Sequence, residues 1–92
     1  MKVRYTRTII RQIDTAVTHL ATQNPQAARG LRDRISAVVA LLQMHPRSAR
    51  ETSKRNIRRF PLGTYPYLLD YSVGEDEIVL RRFRHASRRP LA

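Results

Sequence analysis

The spacing of the apolar residues changes once along the chain, and this change limits the fold more than any other feature of the sequence. From residue 8 to residue 44, apolar side chains recur every three or four positions, which is the period of an amphipathic helix. Asn24 and Pro25 interrupt the pattern, since Asn caps a helix and Pro is tolerated in its first turn. The sequence therefore predicts two helices, which their short link forces into an antiparallel hairpin. Their apolar stripes are Ile9, Ile13, Val17 and Leu20, and Ala28, Leu31, Ile35, Val38, Val39 and Leu42.

From Pro46 onward the apolar pattern is typical of strands. Pro46 ends the second helix, because the residue before a proline avoids the helical region. Residues 47–55 are polar and basic without an apolar period, so we expect a loop there. Residues 65–73 alternate between two faces, with Tyr67, Leu69, Tyr71 and Val73 on one of them. The predicted strands are 2–5, 56–60, 65–73 and 78–83, and a turn at 74–76 joins the last two.

The last predicted strand leaves its orientation open. Ile78 and Leu80 alternate with Val79 and Phe83, so we expect both faces to be partly covered. The predicted order of elements is β-α-α-β-β-β, an α+β fold in which the N-terminal helical hairpin packs on a mainly antiparallel four-stranded sheet. A chain of 92 residues rarely divides further, so we expect a single domain over residues 1–92.

The chain is strongly basic and contains no cysteine. Its 18 Lys and Arg residues outnumber its 7 Asp and Glu residues, which gives a formal net charge of +11. Such a surface attracts phosphate, acidic protein or anionic lipid. The lack of cysteine excludes disulfides, thiolate metal sites and a cysteine nucleophile, and it fits a reducing compartment such as the bacterial cytoplasm. No apolar run approaches the roughly 18 residues of a membrane span, and no signal segment opens the chain, so we expect neither membrane association nor secretion.

The residues best suited to binding or catalysis are concentrated near the C-terminus. The three histidines, His19, His45 and His85, lack the spacing of metal ligands, so we expect neither a metal site nor a cofactor. Residues 81–89 combine arginines with His85 and an aromatic residue at the end of the last strand. Such a group is suited to clamping phosphate and transferring a proton, or simply to binding an acidic partner.

The same C-terminal region resembles a known toxin superfamily. The strand that begins Tyr65-Pro66-Tyr67 and the later segment His85-Ala86-Ser87-Arg88 look like those of the RelE/ParE superfamily of type II toxins, and of its ParE branch in particular. The order of elements is also that of this family. The resemblance implies a toxin neutralised by a cognate antitoxin through an acidic or amphipathic C-terminal segment. ParE-like members are associated with inhibition of DNA gyrase and replication, and with plasmid stabilisation, whereas RelE-like members cut messenger RNA on the ribosome.

Residue types favour the ParE branch. RelE-like ribonucleases carry an arginine where this chain has Tyr67, and a tyrosine near the C-terminus where this chain has Ala86. Lys54 and Glu51 do occur in the region where RelE-like enzymes use such residues. We therefore expect a toxin without catalytic residues, although a RelE-like endoribonuclease and a degenerate toxin that only binds its partner stay open.

The resemblance and the charge pattern together nominate three sets of residues. The expected target-binding residues are Arg82, Arg84, His85, Arg88 and Arg89. For the nuclease alternative, the catalytic residues would be His85, Arg82, Arg84 and Arg88, acting on ribosome-bound messenger RNA. The expected antitoxin-binding residues are Ile9, Ile13, Arg29 and Arg32, on the helical hairpin.

Overall fold

The computed structural model describes residues 1–87, and Arg88 and Arg89 lie outside the described residues. Five strands and two helices follow one another along this part of the chain. They are β1 (Lys2–Tyr5), α1 (Arg7–Gln23), α2 (Pro25–Met44), β2 (Arg50–Glu51), β3 (Arg58–Pro61), β4 (Tyr67–Val73) and β5 (Glu77–His85). The α+β class and the helical hairpin are confirmed.

Asn24 makes the hairpin sharp because it serves both helices. Its backbone N–H donates to the carbonyl of Leu20 and closes the last turn of α1. Its side-chain Oδ1 accepts a hydrogen bond from the Ala27 N–H at 3.1 Å and so caps α2. Thr6 caps α1 in the same way, with its Oγ1 accepting from the Ile9 N–H. Asn24 is thus the only residue between α1 and α2, which leaves no room for a looser connection.

The hydrophobic core lies between the helical hairpin and one face of the sheet. All six residues of the α2 stripe are buried, and Leu31 and Leu42 have no exposed surface. The alternation predicted in β4 is confirmed, since Leu69 and Tyr71 belong to the core. The Tyr71 hydroxyl donates to the carbonyl of Pro46 at 2.7 Å, which ties the chain just beyond α2 to the sheet.

Within residues 1–87 the sheet has five strands in the order β1-β5-β4-β3-β2, so the prediction of four strands is wrong. The additional strand, β2, lies within residues 47–55, which we expected to be a loop. It pairs with β3 through Arg50 opposite Arg59 and Glu51 opposite Arg58. Two residues are too few to show an alternating pattern, and they form a strand only by pairing with β3. Strand β1 runs parallel to β5, and the other pairs are antiparallel.

A bulge in β5 decides which of its side chains face the core. Tyr71 is paired with Leu80 and Asp70 with Arg82, so Arg81 is an extra residue in the ladder. Leu80 and Phe83 therefore share the core face even though they are three positions apart. The bulge also explains why neither face of this strand was favoured by its sequence.

Candidate functional site

A groove of about 920 Å³ lies on the face of the sheet that the helices leave open. Strands β3, β4 and β5 form its floor, residues 50–54 form one wall, and the start of α1 contributes to its border. Five basic side chains line it, against two carboxylates, Glu51 and Asp70. The basic residues are Arg50, Lys54, Arg59, Arg81 and Arg82. We call this groove, with the five basic residues that line it, the basic groove.

The floor of the basic groove is held by polar pairs across neighbouring strands. Asp70 lies opposite Arg59 on β3 and opposite Arg82 on β5. It accepts two hydrogen bonds from Arg59, at 2.8 and 3.1 Å, and is only 6% exposed. The hydrogen bond to Asp70 raises the pKa of the Arg59 guanidinium, and the negative charge of the carboxylate adds to this effect. Arg81 donates to the Ser72 hydroxyl at 2.8 Å in the same manner.

These pairs give the two arginines fixed positions before any ligand arrives. A guanidinium that is already held in place loses less conformational entropy when an anion binds. Arg82, Arg50 and Lys54 are exposed around this fixed centre. The arrangement is suited to binding an extended, negatively charged surface.

The sheet separates the C-terminal residues that the sequence nominated as one group. Arg82 borders the basic groove, whereas His85 lies on the opposite side of the sheet, beside α1. Arg84 is half-buried opposite Leu68. The structure therefore does not bring Arg82 and His85 to one site, because neighbouring side chains on a strand alternate between its two faces.

His85 is held by contacts of its own. Its ring meets the Tyr67 ring edge-on, with centroids 5.3 Å apart. Its Nδ1 accepts a hydrogen bond from the Ser87 N–H at 3.2 Å and lies 2.7 Å from the Ser87 hydroxyl oxygen. These contacts orient the imidazole towards the helix side of the sheet.

The residues nominated for antitoxin binding differ in their exposure. Ile9 is fully buried in the core, so its side chain offers no surface to a partner, and Ile13 is half-buried. Arg29 and Arg32 are exposed on α2. Of the four nominated residues, therefore, only the two arginines have exposed side chains.

Four residues of the basic groove were missed as site residues: Arg50, Lys54, Arg59 and Arg81. The excess of basic residues between positions 45 and 59 was a usable signal, but their convergence with β5 depends on strand pairing. Across residues 1–87, no three His, Cys, Asp or Glu side chains are arranged to hold a metal ion. Within the same residues, neither helix is apolar enough to cross a membrane.

Comparisons with known proteins agree with the fold. A family profile described as the ParE toxin of the type II toxin–antitoxin system parDE matches residues 3–90. A curated relative, the putative toxin Y4kP of Sinorhizobium fredii, is 27% identical over 79 residues, which cover 86% of this chain and 82% of the relative. A solved structure from the chromosomal ParDE system of P. aeruginosa superposes with a TM-score of 0.82 at 21% identity, covering 95% of this chain and 97% of the other. At that identity, the structural likeness concerns the fold alone.

Proposed function

Because the chain belongs to the ParE toxin family of type II toxin–antitoxin systems, we propose that it arrests bacterial growth by binding DNA gyrase in the cytoplasm. A cognate antitoxin neutralises it, through a segment that is acidic or amphipathic. The observation that carries the proposal is the basic groove on the open face of the sheet. Gyrase bound to DNA presents phosphates and acidic side chains, which are the groups that arginines bind best.

The basic groove supports a role in binding because it combines charge with rigidity. Strands β3, β4 and β5 form its floor, and Asp70 and Ser72 fix two of its arginines. Arg82 and Arg50 remain exposed at its border. A fixed set of guanidiniums binds more tightly than a flexible basic tail, since fewer side chains must be ordered on association.

The position of His85 supports binding rather than cleavage. A general acid or base must come within hydrogen-bonding distance of the reacting group. His85 lies on the helix side of the sheet, so it is separated by the sheet from a phosphate held by Arg82. We therefore expect that His85 does not transfer a proton to or from a phosphate bound by Arg82.

One observation favours a second function, that of a RelE-like endoribonuclease. Glu51 and Lys54 border the same groove as Arg81 and Arg82. A carboxylate, an amine and guanidiniums around one groove supply the residue types that phosphodiester cleavage needs. The two functions predict different cellular effects, so they are separable by experiment.

Expression of the toxin in a bacterium without its antitoxin distinguishes these functions. We expect a reporter of the DNA-damage response to rise several-fold while protein synthesis continues, because a poisoned topoisomerase leaves broken DNA. Purified toxin should also leave messenger RNA intact on translating ribosomes. An immediate stop in protein synthesis, with cleaved messenger RNA and no induction of the reporter, would instead establish the ribonuclease.

The basic charge also predicts how the antitoxin associates. A toxin of net charge +11 attracts an acidic segment over long distances, and salt screens this attraction. Stopped-flow measurements should show that association slows by about tenfold or more between ~50 mM and ~500 mM salt. Dissociation should change by less than about threefold, because short-range contacts hold the complex. If neither the association rate nor the dissociation rate depends on salt concentration, the basic residues lie outside the interface.

A further inference from the structure

The bulge in β5 places two consecutive arginines on the same face of the sheet. Neighbouring side chains of a regular strand alternate between its two faces. Arg81 is the extra residue of the β4–β5 ladder, whose register shifts between Asp70 and Tyr71. Both Arg81 and Arg82 therefore line the basic groove, and both are exposed. Bulges that redirect a side chain are common beside functional sites, and this one doubles the positive charge that β5 brings to the groove.

The two carboxylates of the basic groove leave most of its positive charge unbalanced. Asp70 forms an ion pair with Arg59. Glu51 forms an ion pair at 3.3 Å with Arg58, which is not one of the lining residues. Within residues 1–87, no ion pair involves the other four cations of the groove, which are Arg50, Lys54, Arg81 and Arg82. A ligand that carries a series of negative charges matches this arrangement better than a single carboxylate does.

The wall of the groove is a closed turn between β2 and β3. The Thr52 N–H donates to the carbonyl of Ile57 at 2.8 Å, and the Ile57 N–H donates to the carbonyl of Lys54 at 3.2 Å. The Thr52 hydroxyl donates to the Ile57 carbonyl at 3.0 Å and accepts from the Lys54 N–H at 3.2 Å. Arg50 belongs to β2, which is paired with β3. The backbone that carries Arg50 and Lys54 is therefore held in place, and a ligand does not have to order it.

The groove offers cations and hydroxyl groups but no surface on which a base could stack. None of the described residues that line it is aromatic. Proteins that hold single-stranded nucleic acid stack its bases on aromatic rings. Contacts to the backbone of a duplex need only basic and hydroxyl side chains. The hydroxyl-bearing residues of the lining are Thr6, Thr8, Thr52 and Ser53, so its composition favours a double-stranded ligand.

The floor of the groove also differs from a surface that binds another protein. Protein interfaces typically have an apolar centre and a polar rim. Here Asp70 and Ser72 lie on β4, the middle one of the three strands that form the floor, and they hold Arg59 and Arg81 in place. Charged and polar groups thus lie where a protein partner would need apolar contacts.

From these features we propose that the basic groove binds the phosphate backbone of double-stranded DNA directly. The inference rests on the proposed function in one respect, since it takes this DNA to be the segment that gyrase holds. It names the DNA, and not an acidic surface of gyrase, as the partner of the groove. The contacts are made to phosphates, so binding does not depend on base sequence and weakens steeply with salt.

A titration of the purified chain into labelled DNA tests the groove without gyrase and without toxicity. The probe is a fluorescein-labelled duplex of about 20 base pairs, roughly two helical turns, and fluorescence anisotropy gives its Kd at several salt concentrations. Each phosphate contact contributes about −0.9 to the slope of log K against log salt concentration. The Arg50→Ala/Arg82→Ala variant should therefore make this slope shallower by about 1.8. Single-stranded DNA and RNA of the same length should bind at least about threefold more weakly than the duplex.

The Arg29→Ala/Arg32→Ala variant is the matched control, because it removes the same charge from exposed positions of α2. Its slope should stay within about 0.5 of that of the unchanged chain. Equal changes in the two double variants would overturn the proposal, since DNA binding would then follow net charge alone. Tighter binding of single-stranded RNA than of the duplex would also overturn it, and would favour the ribonuclease.

Growth arrest measured on the same variants separates this inference from the proposed function. If Arg50→Ala/Arg82→Ala no longer arrests growth but binds the duplex as the control does, the groove contacts gyrase itself. The inference then fails while the proposed function stands. If the variant loses duplex binding and still arrests growth, the inference holds, and the groove is not the surface that causes toxicity.

Discussion

Replacing Arg50 and Arg82 together by alanine should abolish growth arrest while leaving the fold intact. Both residues are exposed at the border of the basic groove, and exposed side chains contribute little to stability. An arginine that the partner encloses and shields from solvent typically contributes about 2 kcal/mol or more to binding. The double variant should therefore bind its target roughly a thousandfold more weakly. Colony counts after induction, together with a thermal melt of the purified variant, measure the two effects.

Two comparisons show whether the effect belongs to the basic groove. The double variant Arg29→Ala/Arg32→Ala removes the same charge from α2 and should remain toxic. His85→Gln should also retain most of the toxicity, since His85 lies on the other side of the sheet. Full toxicity in the Arg50→Ala/Arg82→Ala variant would show that the groove is not the target-binding surface. A complete loss in His85→Gln, by contrast, would favour the nuclease, because a general acid or base contributes about 10²–10⁴-fold.

Shortening the apolar stripe of α2 should have the largest effect on stability. Leu31 and Leu42 have no exposed surface and pack in the core between the hairpin and the sheet. Replacing either by alanine should lower the free energy of unfolding by about 2–4 kcal/mol, through lost burial and the cavity that remains. This is a large fraction of the stability of a small domain. Urea or thermal unfolding of the purified variants measures the loss.

Leu41→Ala is the matched control, because Leu41 is the neighbour of Leu42 and is 40% exposed. Its replacement should change the free energy of unfolding by less than about 1 kcal/mol. If the Leu42→Ala and Leu41→Ala variants have the same melting temperature, the apolar stripe of α2 does not face the sheet.

The sequence predicted the helices and their inner face because these depend on local spacing. Leu31, Ile35 and Val38 recur at the helical period, and Asn24 and Pro25 mark the turn with known capping chemistry. The alternation of β4 was equally predictable from the sequence, and Leu69 and Tyr71 do face the core. Strand β2 could not be predicted from the sequence, because its two residues form a strand only by pairing with Arg58 and Arg59.

The candidate site was less accessible to sequence reasoning. Arg82 and His85 are close neighbours in sequence, but alternation in β5 directs them to opposite sides of the sheet. Arg81 joins the basic groove because of a bulge, which depends on the register between β4 and β5. The pairing of Asp70 with Arg59 likewise joins two strands. Each of these relations is set by tertiary pairing, which composition and periodicity do not contain.

The place of β5 in the sheet also determines when the basic groove forms during synthesis of the chain. This strand is made after the other six elements, yet it lies between β1 and β4, and it supplies Ile78, Leu80 and Phe83 to the core. A ribosome that has released only the earlier elements holds a helical hairpin and a strand, β1, that has no neighbour to pair with. The basic groove does not exist at that stage, because two of its arginines belong to β5. We therefore expect a chain that is broken off before residue 77 to lack both the complete core and the basic groove, and not to arrest growth.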